Sequence, residues 1–220
     1  MSRRRLYLMR HAQVSYFEDG RPLRPELVPL TERGLEQAQA AAEVLRGIEF
    51  DRVITSGLPR TVETARILAP GIEPEEWPEF REIESGRLGD IPEDELEAAF
   101  VNAWRDVVPE DRKFLGGETI RSLLDRVLPA VDRLVADPHW DIVLAVLHAG
   151  VNRAILSHAL TGGRVLLGNL EQSPACINVL DVGEGDWVVR AVNHTPYDPT
   201  HLSNRLRTME ELWQEFRPAG

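Results

Sequence analysis

Ile142 to Leu147 is an unbroken apolar run, Ile-Val-Leu-Ala-Val-Leu, introduced by Asp141 and closed by His148. Its length suits a strand covered on both faces better than a buried helix. Leu6-Tyr7-Leu8-Met9 has the same character and runs into Arg10-His11, and Asp51 to Thr55 reads as a third strand. Helical patterns follow these runs. Behind Thr31, an N-cap candidate, Leu35, Ala38, Ala41, Ala42 and Leu45 form an apolar stripe that stops near Gly47. Pro59 suits the first turn of a helix that reaches about Leu68 and closes at Pro70-Gly71. Val151 to Leu160 is a helix behind His148-Ala149-Gly150. This alternation predicts an α/β fold, a three-layer α/β/α sandwich with a mainly parallel sheet.

The remaining segments are arranged around that frame. Residues 12 to about 29 read as a Pro- and Gly-containing loop. The pattern loosens between Glu73 and Gly117, where one helix is expected from Glu93 to about Val107. The stretch of about 86–117 is read as a small helical cap insertion within a single domain of residues 1–220. Glu118 to Ala136 is a further helix, with a kink or break expected at Pro129. Ala175–Val182 and Trp187–Val192 are late strands joined by Gly183-Glu184-Gly185-Asp186, and Arg207 to about Phe216 is the last helix.

The formal net charge of −11 argues against nucleic acid or an anionic membrane as a general partner. An anionic substrate would therefore need a local basic pocket. The single cysteine, Cys176, lies in an apolar stretch and reads as a small buried hydrophobe; it allows no intrachain disulfide. The apolar run behind Met1–Arg5 is too short for a signal peptide, so a cytoplasmic location is expected. Homodimerisation is compatible with the sequence but not readable from it.

In a parallel sheet the carboxyl ends of the strands share one side, where ligands bind. Arg10, His11 and His148 stand at two such ends, and the strand ending at Thr55 feeds Arg60 to the same side. Arginine forks match two phosphate oxygens, and a histidine ring nitrogen can attack phosphorus or donate a proton. These residue types point to an anion site, while the acid for a leaving alkoxide cannot be chosen by spacing among 36 carboxylates. His194 and His201 lie in a polar loop that reads as surface rather than as a metal site.

Leu6-Tyr7-Leu8-Met9-Arg10-His11-Ala12 resembles the Arg-His-Gly signature of the histidine phosphatase superfamily, the phosphoglycerate mutase-like group. Four further pieces fall in that family's order: Leu30 to Ala38, Thr55 to Ala65, Arg81 to Gly86, and Val146 to Gly150. The resemblance implies a phosphatase acting on a small phosphorylated metabolite through a phosphohistidine on His11, with no metal and no cofactor. Arg10, Arg60 and His148 would hold the phosphoryl oxygens. Glu82 would be the acid and base, four positions before Gly86, with Glu84 as a rival. Gln13 and Ser15 would lie among the substrate contacts. Three features depart from the family pattern: Ala12, Ala149, and Arg87-Leu88-Gly89 in place of Trp-Glu-Gly. Two other readings stay open, a phosphoglycerate mutase and a catalytically weak phospho-ligand binder. Against the mutase, Asp90 to Asp111 contains only Arg105 as a positive residue, whereas family mutases carry a longer basic cap.

Overall fold

The computed structural model describes residues 3–18, 21–203 and 205–216. Strand β1 (Arg4–Arg10) is followed by two short strands, β2 (Phe17–Glu18) and β3 (Arg21–Pro22), and by helix α1 (Glu32–Leu45). Next come β4 (Arg52–Thr55), α2 (Pro59–Leu68), β5 (Glu75–Glu76), α3 (Glu93–Val101) and α4 (Ile120–Ala136). The chain closes with β6 (Ile142–Leu147), α5 (Ala149–Thr161), β7 (Ile177–Val182), β8 (Trp187–His194) and α6 (Thr208–Phe216). The main sheet has the order β5-β4-β6-β1-β7-β8. Its first four strands are mutually parallel, β7 is antiparallel to β1, and β8 is antiparallel to β7.

Alternation along the central strands builds two cores. Leu6, Leu8, Ile54, Val143, Ala145 and Leu147 pack against α4 and α5. Met9, Val53, Leu144 and Val146 pack against α1 and α2 on the opposite face. Successive strand residues point to opposite faces, so covering both faces requires an unbroken apolar run. The result is the expected three layers. Thr31 caps α1 by accepting a hydrogen bond from the Gly34 amide at 3.0 Å, a contact worth about 1 kcal/mol. Gly34 is needed for a second reason: a Cβ there would stand 2.2 Å from the Gln13 carbonyl oxygen, so α1 can lie against the loop after β1 only with glycine.

Three local expectations are corrected. The segment 12–29 carries the β2–β3 pair rather than being loop throughout. The helix expected to reach about Val107 ends at Val101. Residues 106–108 use their backbone elsewhere: the Val108 amide donates to Leu166, and the Gly168 amide donates to Asp106, whose φ is +57°. Pro129 does not break α4, which runs on to Ala136. Leu123, Leu124, Val127, Ala130, Val131 and Leu134 are all buried on one stripe across the proline, and that burial offsets its cost of about 3 kcal/mol. Cys176 is buried and free, and burial pushes its thiol up to about 12, where it stays protonated. Among the described residues, no helix is long and apolar enough to cross a membrane.

Candidate active site

The register of the sheet brings the two strand-end histidines together. Arg10 pairs with Leu147 across β1 and β6, so His11 and His148 are the next residues on adjacent parallel strands. Neighbouring strands lie about 4.8 Å apart, and the two ring centroids are 5.2 Å apart at 65°. On the other side of β6, Thr55 pairs with Val146, which sets Ser56 beside the same edge. Pro59 opens α2 one residue before Arg60, whose side chain reaches back to His148 with Nη2 3.4 Å from Nδ1.

Arg10, His11, Arg60 and His148 are each no more than 6% exposed. The hydrogen bonds fix the ring states. His11 Nδ1 lies 2.8 Å from the Ala12 carbonyl oxygen, which can only accept, so Nδ1 carries the proton and Nε2 the lone pair. His148 Nδ1 faces the Arg60 guanidinium, which can only donate; its Nε2–H therefore donates to Ser56 Oγ at 2.7 Å. Ser56 Oγ also lies 3.2 Å from Thr61 Oγ1, which donates to the Leu58 carbonyl at 2.8 Å. Burial, with the positive charges of Arg60 and Arg10, holds both imidazoles well below the usual histidine range. His11 Nε2 thus presents a free lone pair at neutral pH.

A measurable consequence is the pH dependence of stability. Both rings stay neutral in the folded chain at pH values where an unfolded chain's histidines, titrating near 6.5, bind protons. Their contribution to stability is complete above pH 6.5 and is lost as pH falls from there toward the depressed folded values. Each ring gives a slope of up to about 1.4 kcal/mol per pH unit in that window. Urea midpoints should be lower at pH 5.5 than at pH 7, and equal midpoints would mean that the rings charge inside the fold.

Both arginines are held through their Nη groups. Arg10 Nη1 donates to the Gln172 carbonyl at 2.7 Å and to Thr208 Oγ1 at 3.1 Å. Arg60 Nη1 donates to the Pro25 carbonyl at 2.5 Å. The Nε of each is buried without a hydrogen-bond partner, and among the described residues neither guanidinium has a carboxylate within ion-pair distance. A buried charge without a counterion is costly, and an unpaired buried donor costs about 1–3 kcal/mol more. Both arginines therefore call for an anion.

Glu82 is seated at the opening of α5. Its Oε1 accepts from the Gly150 amide at 3.0 Å and from the Ile83 amide at 3.0 Å, and its Oε2 lies 3.2 Å from the Gly150 nitrogen. A Cβ at position 150 would stand 2.7 Å from Oε1, so the carboxylate approaches only because residue 150 is glycine. Glu84 is exposed, and its backbone amide donates to Glu118 Oε2 at 3.2 Å. Ala12 is buried, its amide donating to Thr64 Oγ1 at 3.1 Å; Ala149 is buried too, its carbonyl accepting from Arg153. Gln13 Oε1 accepts from Thr31 Oγ1 at 3.0 Å, and Ser15 is half-buried in the loop after β1. Gln13, with Gln37, Glu171, Tyr197, His201 and Thr208, lines a polar cavity on the Arg10 flank that does not include His11 or His148.

Sequence reasoning passed over several residues that shape this site. Ser56 had a signal, since it directly follows a strand end inside a segment already singled out. Arg126 had none. From α4 it donates to the carbonyls of Glu79 at 2.7 Å, Arg81 at 2.6 Å and Glu82 at 3.3 Å, while pairing with Glu118 at 3.0 Å, so it ties down the segment that carries Glu82. Thr208 and Glu171 were equally silent.

Residues 6–195 match the profile of the histidine phosphatase superfamily (branch 1). The adenosylcobalamin/alpha-ribazole phosphatase of Escherichia coli K12 is 27% identical over 198 residues, covering 86% of this chain and 95% of its own length. A metal-independent phosphoserine phosphatase of Arabidopsis thaliana is 29% identical over 214 residues, covering 90% of this chain and 83% of its own. Among solved structures, a mycobacterial glucosyl-3-phosphoglycerate phosphatase superposes with a TM-score of 0.66 at 28% identity, covering 87% of this chain and 99% of that one.

Proposed function

The chain belongs to the histidine phosphatase superfamily, and from that premise we propose that it hydrolyses a small phosphorylated metabolite through a phosphohistidine on His11. The observation that carries this reading is the pair of buried arginines, each with an unpaired Nε and no carboxylate partner among the described residues, beside two neutral imidazoles. In the first half-reaction His11 Nε2 attacks phosphorus and the ester P–O bond breaks. Arg10 and Arg60 stabilise the charge on the transferring oxygens, and His148 joins them by turning its Nε2–H from Ser56 Oγ to a phosphoryl oxygen. Glu82, which must enter the cycle as the carboxylic acid, gives its proton to the departing alkoxide. In the second half-reaction it takes a proton from water as that water attacks phosphorus and the P–N bond breaks, freeing His11. Gln13 and Ser15 contribute to substrate binding in this reading.

The three relatives named above share phosphatase action and differ in the group attached to phosphate, while other relatives at 28% identity carry the name probable phosphoglycerate mutase, which keeps the mutase as the second reading. The phosphoryl end of the site is thus the part that carries over. We read residues 1–220 as one cytoplasmic phosphatase domain in which the segment of about 86–117 caps the sheet edge and selects the alcohol. A net charge of −11 supports a small anion drawn by local arginines over nucleic acid as the partner.

An aryl phosphate assay, run with and without bisphosphoglycerate, tests the reading. Turnover to inorganic phosphate independent of the bisphosphate is expected. Isomerisation of a phosphoglycerate that requires it would make the protein a mutase, and tight phosphate binding without turnover would make it a binding module. Activity should also persist in EDTA, since arginines supply the positive charge and no cluster of three or more metal-ligating side chains occurs among the described residues. Loss in EDTA, restored by a divalent ion, would contradict this.

A further inference from the structure

Thr208 opens α6, beyond the family-matched residues 6–195. Its hydroxyl accepts from Arg10 Nη1 at 3.1 Å and donates to Glu171 Oε1 at 2.7 Å. The other oxygen of Glu171, Oε2, lies 3.3 Å from Nη2 of Arg153, a fully buried arginine that also donates to the Ala149 carbonyl in the first turn of α5 at 3.2 Å. A hydroxyl has one proton to give, and Glu171 takes it, so the lone pairs of Thr208 Oγ1 are left to face the Arg10 guanidinium. The Arg10 Nη1 corner is thus held twice, by Thr208 and by the Gln172 carbonyl, and Nε remains the unpaired buried donor. The helix that carries the hydroxyl is itself held on α3, where Trp213 and Phe216 pack on Phe100 with ring centroids 5.6 Å apart in each pair.

We propose that Thr208 is a positioning residue for phosphoryl transfer, which orients the Arg10 guanidinium so that its Nε edge meets the phosphoryl group. This rests on the reading above that Arg10 holds that group. Glu171 acts one step further out: it orients the hydroxyl while Arg153 balances its charge, so that the carboxylate does not itself take the guanidinium. Because α6 packs on α3, the cap segment and the phosphate-binding arginine are linked through one hydroxyl.

The test is a double-mutant cycle on an aryl phosphate, with the inhibition constant of inorganic phosphate measured in parallel. Thr208→Val is expected to lower kcat/KM about ten-fold and to weaken phosphate inhibition, the loss of one hydrogen bond to a charged group. Thr208→Ser, which keeps the hydroxyl, should restore both to within about two-fold of the parent. In an Arg10→Ala background Thr208→Val should cost nothing further, since the group it orients is gone. A Thr208→Val loss that persists in full beside Arg10→Ala, or a valine variant as active as the parent, overturns the proposal. If Arg10→Ala alone keeps full activity, it is the reading of Arg10 that fails. Thermal melting accompanies each variant; should the valine variant melt early, Thr208→Ala, which adds no bulk, is judged by the same outcomes.

Discussion

His11→Ala should abolish turnover, lowering kcat by about four orders of magnitude or more, while the protein still folds. The chemical part follows from the ring state, since the variant has no lone pair at the position where Nε2 stood beside Arg60, Arg10 and His148. A water molecule entering the space could attack phosphorus, but without covalent capture the reaction reverts to one difficult displacement. The folding part follows from the backbone. The His11 amide donates to the Leu147 carbonyl at 2.9 Å, and its carbonyl accepts from the Ala175 amide at 3.2 Å. Alanine keeps both bonds. Rapid quench with labelled substrate, followed by peptide mapping in alkali, which preserves phosphohistidine, should locate the label on His11. Label on another residue, or an alanine variant with near-parental activity, would overturn the mechanism.

Glu82→Gln should separate substrates by leaving group. For alkyl phosphates kcat/KM should fall about 10²- to 10³-fold, the range of a general acid, and for an aryl phosphate less than about ten-fold. An aryl oxide departs with little protonation, whereas an alkoxide does not. The comparison belongs to kcat/KM, which reports phosphoryl transfer to the enzyme. The aryl ester's kcat should drop further, with a burst of alcohol release, because water activation loses its base. Glutamine keeps an acceptor for the Gly150 amide, so the seat at α5 survives the change. Equal losses for both ester classes would remove Glu82 from the acid role and turn attention to another carboxyl group.

Much of the scaffold was legible because periodicity records burial. The runs Leu6–Met9 and Ile142–Leu147 lie inside their strands, since both faces of these strands are covered and no polar residue could interrupt them. The early end of α3 was not legible. Its cause is backbone pairing between residues 106–108 and 166–168, a long-range contact that leaves no local pattern. Within the site, Arg10, His11 and His148 could be placed by rule because each adjoins a strand end. Arg126 and Thr208 could not: each acts by reaching across the fold to a carbonyl or a guanidinium, and any surface helix offers such residues. Ala12 and Ala149 were departures from the family's glycines. The structure moves the steric demand one residue on, to Gly150, where a methyl group would meet the Glu82 carboxylate.

On the mechanism proposed above, the register that aligns Arg10 with Leu147 also sets when activity first appears. His11 and His148 are 137 positions apart in sequence, and they meet only through the β1–β6 pairing. A slip of one residue between those strands would turn one ring to the opposite face of the sheet. Closing so long a loop is the slow kind of event in folding, long after helices and local turns can form. During refolding, regained turnover therefore reports the closure of the central strands, while regained helicity reports α1 to α6 alone. The two signals should separate in time; coincident recovery would mean that helices and sheet form together.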